Sequence, residues 1–453
     1  MLKMNRRSLL GAGVAAMGGV LLGGVVPRRL LAETGGRRKF VFAYFEGGWD
    51  ILLGLDPRDP ATTNPAQHQI QPAYDQLGGP YTARGVQRRD GLQFGPAVPP
   101  EMLAHAADCS IINAITMDTA AHEAGRRYFI TGQFPRGLTA VGSSLPSEII
   151  ARLGDHVPIP NLSAGVESYA AGLPPYASAL AANSITDLVT AITPFAQIDP
   201  DTLAAVEAFQ DASPGCEGRR LDRDELTTTA LRSQKRAREY IKANLASFFD
   251  LTRGDAEMTA LRELYAIDGG SNAASPEVLA FSAAQALKKD VSQCVSVMVG
   301  QALDTHSNWA QDHAPRQEAG WRALAALIGD LKATPSIQSP GKSVFDETTI
   351  LAFSEFGRTP LFNNLRGRDH FLGSSCLVAG AGLKHGLTIG RSAAIGMMPQ
   401  HTDLRSGQAV ESATSATDDV MILTPKNVLA TILASAGLSY DYLRASPIRA
   451  LVA

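Results

Sequence analysis

Cysteine is scarce in this chain. Its four cysteines in 453 residues, Cys109, Cys216, Cys294 and Cys376, lie far apart and form no CxxC pair. That spacing argues against a zinc knuckle, a dithiol redox centre or a disulfide-stapled miniature scaffold. Cys109, Cys294 and Cys376 fall in apolar runs and read as core residues, while one unassigned disulfide stays open in an oxidising compartment. An excess of positive charge is lacking too. With 41 basic and 44 acidic residues there is no basic footprint for nucleic acid. No heptad, collagen period or short repeat is visible. Gly47-Gly48 is too short for a phosphate loop, and Gly380-Ala381-Gly382 carries no dinucleotide fingerprint. Beyond the first 32 residues, nothing reads as a membrane span.

What is there begins with those 32 residues. Lys3, Arg6 and Arg7 precede an uncharged run from Leu9 to Val26, and Arg28 and Arg29 follow it. Six glycines in that 18-residue run make a poor spanning helix. An arginine pair in Asn5-Arg6-Arg7-Ser8-Leu9-Leu10, before a weakly apolar segment, is the pattern of a twin-arginine export signal. The expectation is export by the twin-arginine translocase to the periplasm or cell exterior, with cleavage after Ala32. No cysteine near that point suggests a lipoprotein. Removing the segment takes five basic residues from the 41, leaving 36 against 44 acidic ones and a net charge of −8. The mature part is then soluble and does not span a membrane.

An apolar fraction of 45% and a charged fraction of 19% suit a globular protein rather than a disordered one. The length exceeds one simple core. Short apolar runs at Phe40 to Phe45, Ser110 to Ile115, Cys294 to Val299, Thr349 to Phe353 and Ser375 to Ala379 read as buried parallel strands. Helical patterns lie between them. One runs from about Pro315 to Leu331, and another starts at Thr424-Pro425 and stops at Gly437. The fold expected is α/β, with a mostly parallel central sheet covered by helices on both faces. Residues 33–184 and 290–453 would form the two parts of that domain. Residues 185–289, helical and polar, would be an insertion or cap. Residues 62–100, rich in Pro, Gln and Gly, read as an ordered loop region rather than a core element.

The acidic residues fall at strand ends. Asp50 follows the first strand, Asp304 and His306 a later one, and Glu355 another, with Asp369-His370 a short loop beyond. In an open parallel sheet, ligands bind outside the carboxyl ends of the strands. Carboxylates and imidazoles delivered to one rim suit a hard or borderline divalent ion. A lone Asp after a strand is more often a turn or a cap, and Arg358 could simply pair with Glu355. The other histidines, His68, His105, His156, His313, His385 and His401, have no partner arguable from spacing and read as structural.

These motifs carry a resemblance. The export signal, Glu46-Gly47-Gly48-Trp49-Asp50, Asp304-Thr305-His306, Ser354-Glu355-Phe356-Gly357-Arg358-Thr359 and Asp369-His370 resemble the bacterial family called domain of unknown function 1501. That family is similar in fold to the alkaline phosphatase and sulfatase superfamily. The resemblance implies a metal-assisted hydrolase acting on an anionic phosphate or sulfate ester. It implies one or two divalent ions (zinc, calcium, magnesium or manganese) on Asp50, Asp304, His306, Glu355 and His370. Phe356 stands where the superfamily has a ligand, so one is missing. Thr131-Gly132-Gln133-Phe134-Pro135 resembles the element that follows the superfamily nucleophile, and counting ten residues back from Gly132 lands on His122. The related family has Ser-His there; this chain has Ala121-His122. His122 as ligand, base or covalent acceptor, and Thr119 as nucleophile, all stay open. Arg126 stands where sulfatases carry a substrate-contacting arginine, and Arg126 and Arg358 would clamp the anion. The rival reading is a non-catalytic exported module for binding or surface assembly that keeps the fold.

Overall fold

The computed structural model describes residues 38–193, scattered positions between 199 and 208, and residues 244–411 and 417–453. The export signal, Cys216 and most of 194–243 lie outside the described residues. We number the eight strands of the central sheet in chain order. They are β1 (Lys39–Phe45), β2 (Cys109–Thr116), β3 (Asn161–Ala164), β4 (Leu180–Ala182), β5 (Cys294–Gly300), β6 (Thr348–Ser354), β7 (Gly373–Gly380) and β8 (Thr388–Ile389). Across the sheet they lie in the order β8-β2-β7-β6-β1-β5-β3-β4.

Every residue of β1 is buried, because it runs parallel between β5 and β6 with both faces covered. Successive side chains of a strand point to opposite faces. Val41, Ala43 and Phe45 therefore join one apolar cluster, and Phe40, Phe42 and Tyr44 the other. The first cluster is capped by helices Pro276–Lys288 and Trp309–Ala333, the second by His122–Thr131, Leu145–Leu153 and Pro425–Ser435. We call these helices α1 (His122–Thr131), α2 (Leu145–Leu153), α3 (Pro276–Lys288), α4 (Trp309–Ala333) and α5 (Pro425–Ser435). The expected α/β architecture, a mostly parallel sheet between helical layers, is what forms. Helix α5 starts where the Thr424-Pro425 signal puts it, with a capping box between Thr424 and Asn427.

Four details depart from expectation. Strand β7, expected to be parallel, is antiparallel to both β2 and β6. A parallel return needs a crossover, usually a helix. Residues 355–372 contain only the two-residue strands Gly357–Arg358 and His370–Phe371, so the chain doubles back. Strands β3 and β4 are too short for a periodic signal. Helix α4 begins at Trp309, not Pro315, which it accommodates in its second turn. Residues 62–100 are not merely a loop. They include a hairpin, Gln87–Arg89 with Leu92–Phe94, whose Leu92 and Phe94 are buried in the core. Cys109, Cys294 and Cys376 are buried free thiols. No helix among the described residues is long and apolar enough to cross a membrane.

Candidate metal centre

Three adjacent strands, β6, β1 and β5, run parallel and end at the same edge of the sheet. Their ends supply Glu355, the Gly47-Gly48 turn, and Asp304 with His306. Helix α1 begins at His122 after β2, and the small strand His370–Phe371 pairs with Gly357–Arg358 beside them. Two glycines permit this crowding. Gly47 has φ +106°, and a Cβ there would sit 2.6 Å from the Asp304 backbone nitrogen. A Cβ on Gly125 would sit 2.6 Å from the Glu355 carbonyl oxygen, so only glycine lets α1 close onto β6 and bring His122 inward.

Three imidazoles surround one carboxylate oxygen. Asp304 Oδ1 lies 3.3 Å from His122 Nε2, 3.0 Å from His306 Nε2 and 3.2 Å from His370 Nε2. His306 Nε2 and His370 Nε2 are 3.0 Å apart. Each ring is held from behind through Nδ1. His122 Nδ1 donates to Glu355 Oε1 at 2.8 Å, His306 Nδ1 to Asp369 Oδ1 at 2.7 Å, and His370 Nδ1 to the Ala120 carbonyl at 2.6 Å. A carbonyl or an ionised carboxylate only accepts, so Nδ1 carries a proton in all three rings, and their Nε2 atoms turn inward toward Asp304. His122 Nε2 is buried and has no hydrogen-bond partner. This anchoring of the distal ring nitrogen is the arrangement of metal-ligating histidines.

The holders are themselves held. Glu355, fully buried, also accepts from Gly47 N at 2.9 Å and Ser354 Oγ at 2.9 Å, and Asp369 Oδ1 accepts from Asn363 Nδ2 at 2.9 Å. Phe356 packs its ring 4.8 Å from that of His122 and 4.5 Å from that of His370, an apolar wall under both. Burial pulls the His122 pKa down, but the Glu355 and Asp304 carboxylates more than offset it and the value ends above the usual one. Burial, with the Arg358 and His122 charges, leaves His370 below it despite Ala120 and Asp304. Partial burial would raise Asp304, yet the Arg358 and His370 hydrogen bonds hold it far below the usual carboxylate range. Glu355 is likewise depressed against its burial, chiefly by His122.

The structure brings Asp304, His306, His370 and His122 together, with Glu355 behind His122. It does not bring Asp50 to them. Asp50 is fully buried and forms an ion pair at 3.0 Å with the equally buried Arg368. Its oxygens also accept from Trp309 Nε1 at 2.7 Å and Leu52 N at 2.9 Å. Arg358 is not positioned as an anion clamp. It is buried and donates to Gly48 O at 2.9 Å, to Arg368 O at 3.1 Å, to Asp304 Oδ1 at 2.7 Å and to Gly47 O. Nor does Arg358 pair with Glu355. Arg126 donates to Glu167 at 2.8 Å, and Arg127 and Tyr169 share that carboxylate. Thr119 Oγ1 accepts from Ala121 N at 3.2 Å on the approach to α1.

Several residues of this edge were missed at the level of sequence. Asp369 sits inside a quoted motif, and its adjacency to His370 was the signal available. Arg368 and Trp309 had none, since their partner Asp50 lies far away in sequence. No functionally curated protein matches this chain. A family profile matches residues 37–443, nearly the whole described fold, and the chain belongs to the family described as protein of unknown function (DUF1501).

Proposed function

We propose that the chain is an exported, metal-dependent hydrolase-like protein of the alkaline phosphatase and sulfatase type, acting on an anionic phosphate or sulfate ester. One observation carries the metal: three Nδ1-anchored imidazoles aim their Nε2 atoms at Asp304. Buried His122 Nε2, without a hydrogen-bond partner, fits a cation at that point. His122, His306, His370 and Asp304 would hold it, a set shifted from the Asp50-containing one that resemblance implies. A bound divalent ion would supply a Lewis acid for the ester oxygen. Glu355 and Asp369 keep the rings oriented, and Phe356 closes one side. The site opens to solvent on the Asp304 side, whose side chain is 45% exposed, so a substrate can reach it.

The rival, a non-catalytic module that keeps the fold, has its own support: Thr119, Arg126 and Arg358 are all engaged within the protein. Turnover decides between them. Metal-loaded protein should cleave p-nitrophenyl phosphate or p-nitrophenyl sulfate, and chelation or His306→Ala should lower the rate by roughly 100-fold or more, as loss of metal or its orientation does. No cleavage of either ester by a metal-loaded sample selects the module. Export is tested separately: changing Arg6 and Arg7 to Lys should leave uncleaved precursor in the cytoplasm, and normal mature protein outside would refute that route.

A further inference from the structure

The donor set at Asp304 discriminates among ions. We propose that this centre takes a single ion of the zinc class, Zn2+ or Co2+, in preference to Mg2+ and Ca2+, and that Asp369 and Glu355 set its affinity as positioning residues. The inference rests on the metal reading above and narrows it.

Ligand chemistry comes first. Three ring nitrogens and one carboxylate oxygen form a borderline set suited to zinc-like ions. Ca2+ and Mg2+ ask for about six to eight oxygens or near-octahedral oxygen and water. The neighbouring carboxylates offer little. Asp50 is consumed by Arg368, Trp309 and the Leu52 amide. Both Glu355 oxygens are engaged, by His122 and Gly47 on one side and Ser354 on the other. Asp369 Oδ1 serves His306 and Asn363.

Geometry gives the number. Zinc lies about 2.0–2.1 Å from nitrogen and oxygen ligands, so the edges of its tetrahedron are about 3.3 Å long. Four edges among these donors measure 3.0, 3.0, 3.2 and 3.3 Å. Those four of the six possible separations lie within a few tenths of an ångström of a tetrahedral edge, and the ligand atoms of His122, Asp304 and His370 all lie within 4.8 Å of one another. The two ions of a paired site lie about 3.5–4 Å apart and each needs its own donors, whereas the nearby carboxylates Asp50, Glu355 and Asp369 are already engaged. His306 Nε2 and His370 Nε2 lie 3.0 Å apart, close enough for one cation to take both. Arg358 also touches Asp304 Oδ1, but a carboxylate has lone pairs for both an arginine and an ion.

The positioning claim follows from the anchors. Asp369 is half-exposed and holds His306, while Glu355 is buried and holds His122. Removing such an outer partner commonly costs metal affinity roughly 10–100-fold.

The test uses the full mature chain, stripped with a chelator and then titrated with Zn2+ or Co2+ against millimolar Mg2+ and Ca2+. The expected result is about one equivalent of zinc, undisturbed by the other two ions, and a cobalt form with the intense visible bands of four-coordination. Asp369→Asn should weaken zinc binding roughly 10–100-fold and shift the cobalt spectrum. Its exposure makes misfolding no explanation; Glu355→Gln, buried, is the second variant. Two equivalents of zinc, displacement by Mg2+ or Ca2+, a faint six-coordinate cobalt spectrum, or an unchanged affinity in Asp369→Asn would each overturn the inference and leave the metal-dependent reading standing. Failure to bind any ion would bring down both.

Discussion

Asp50 and Asp304 follow neighbouring strands at the same edge of the sheet, and their surroundings differ in kind. Asp50 is fully buried, and each of its oxygens is occupied by a donor that cannot leave: Arg368, the Trp309 indole and the Leu52 amide. The Arg368 guanidinium is itself stacked 4.8 Å over Trp309 and 4.6 Å over Phe362. Around Asp304 the opposite holds. It is 45% exposed, and its neighbours are the Arg358 guanidinium and the Nε2 atoms of three imidazoles. A buried carboxylate saturated with donors holds a fold together. A half-exposed one, paired with Arg358 and ringed by imidazoles, leaves room for a cation.

The strongest way to break this comparison is at Asp50. Asp50→Asn removes the charge that balances a fully buried guanidinium. Breaking a buried pair from one side costs about 3–5 kcal/mol, because the remaining charge stays desolvated. Denaturant unfolding of metal-free protein should show that loss, with the Asp50→Asn midpoint far below wild type. A change under about 1 kcal/mol would mean that Asp50 is not the structural member of the two.

His313 sharpens the same side. It is fully buried between Thr305 Oγ1, 2.6 Å from Nδ1, and the Asp50 amide, 3.0 Å from Nε2. Burial, against the attraction of Asp50, lowers its pKa from 6.5 to about 4. The folded value lies below the unfolded one, so the unfolded chain takes up the proton first. The contribution is therefore complete above pH 6.5 and is lost as pH falls toward 4, about 3 kcal/mol in all. Stability measured across that window should fall less steeply in His313→Gln than in wild type. Equal slopes would show that His313 is not held neutral by the fold.

These two regions also show what could be read in advance. The five apolar runs from Phe40 to Ala379 are strands because a strand buried on both faces needs a continuous apolar segment, and composition records that. Direction is not recorded: Ser375 to Ala379 has the composition of a parallel strand and runs the other way, because the reversal is set by a loop with no crossover helix. The same limit governs the site. Position after a strand places Asp50 and Asp304 at one rim, but which receives an arginine depends on where Arg368 folds back, 318 residues beyond Asp50 in numbering. His122, whose three possible roles stay open, is brought beside Asp304 and His370 by Gly125, whose missing side chain lets α1 approach Glu355.

The smallest expected effect belongs to Asp304 and tests the comparison from the other end. Asp304→Asn keeps the size and an oxygen acceptor and removes the charge. Arg358, itself buried, would keep its carbonyl partners Gly48, Gly47 and Arg368 and lose only the charge of Asp304, whose side chain is half-exposed. Solvent at that exposed end screens the pair, which is then worth about 0–1 kcal/mol. In chelator, then, Asp304→Asn should unfold within about 1 kcal/mol of wild type. Added zinc separates them: an ion bound only by the folded state stabilises by mass action, about 4 kcal/mol at a thousandfold excess over its dissociation constant. Wild type should gain that increment and Asp304→Asn little of it. If Asp304→Asn is as damaging as Asp50→Asn without metal, both aspartates are structural and the rim holds one salt-bridged network. If the two proteins match in chelator and part only with zinc, the sheet edge carries one aspartate for the fold and one for the ion.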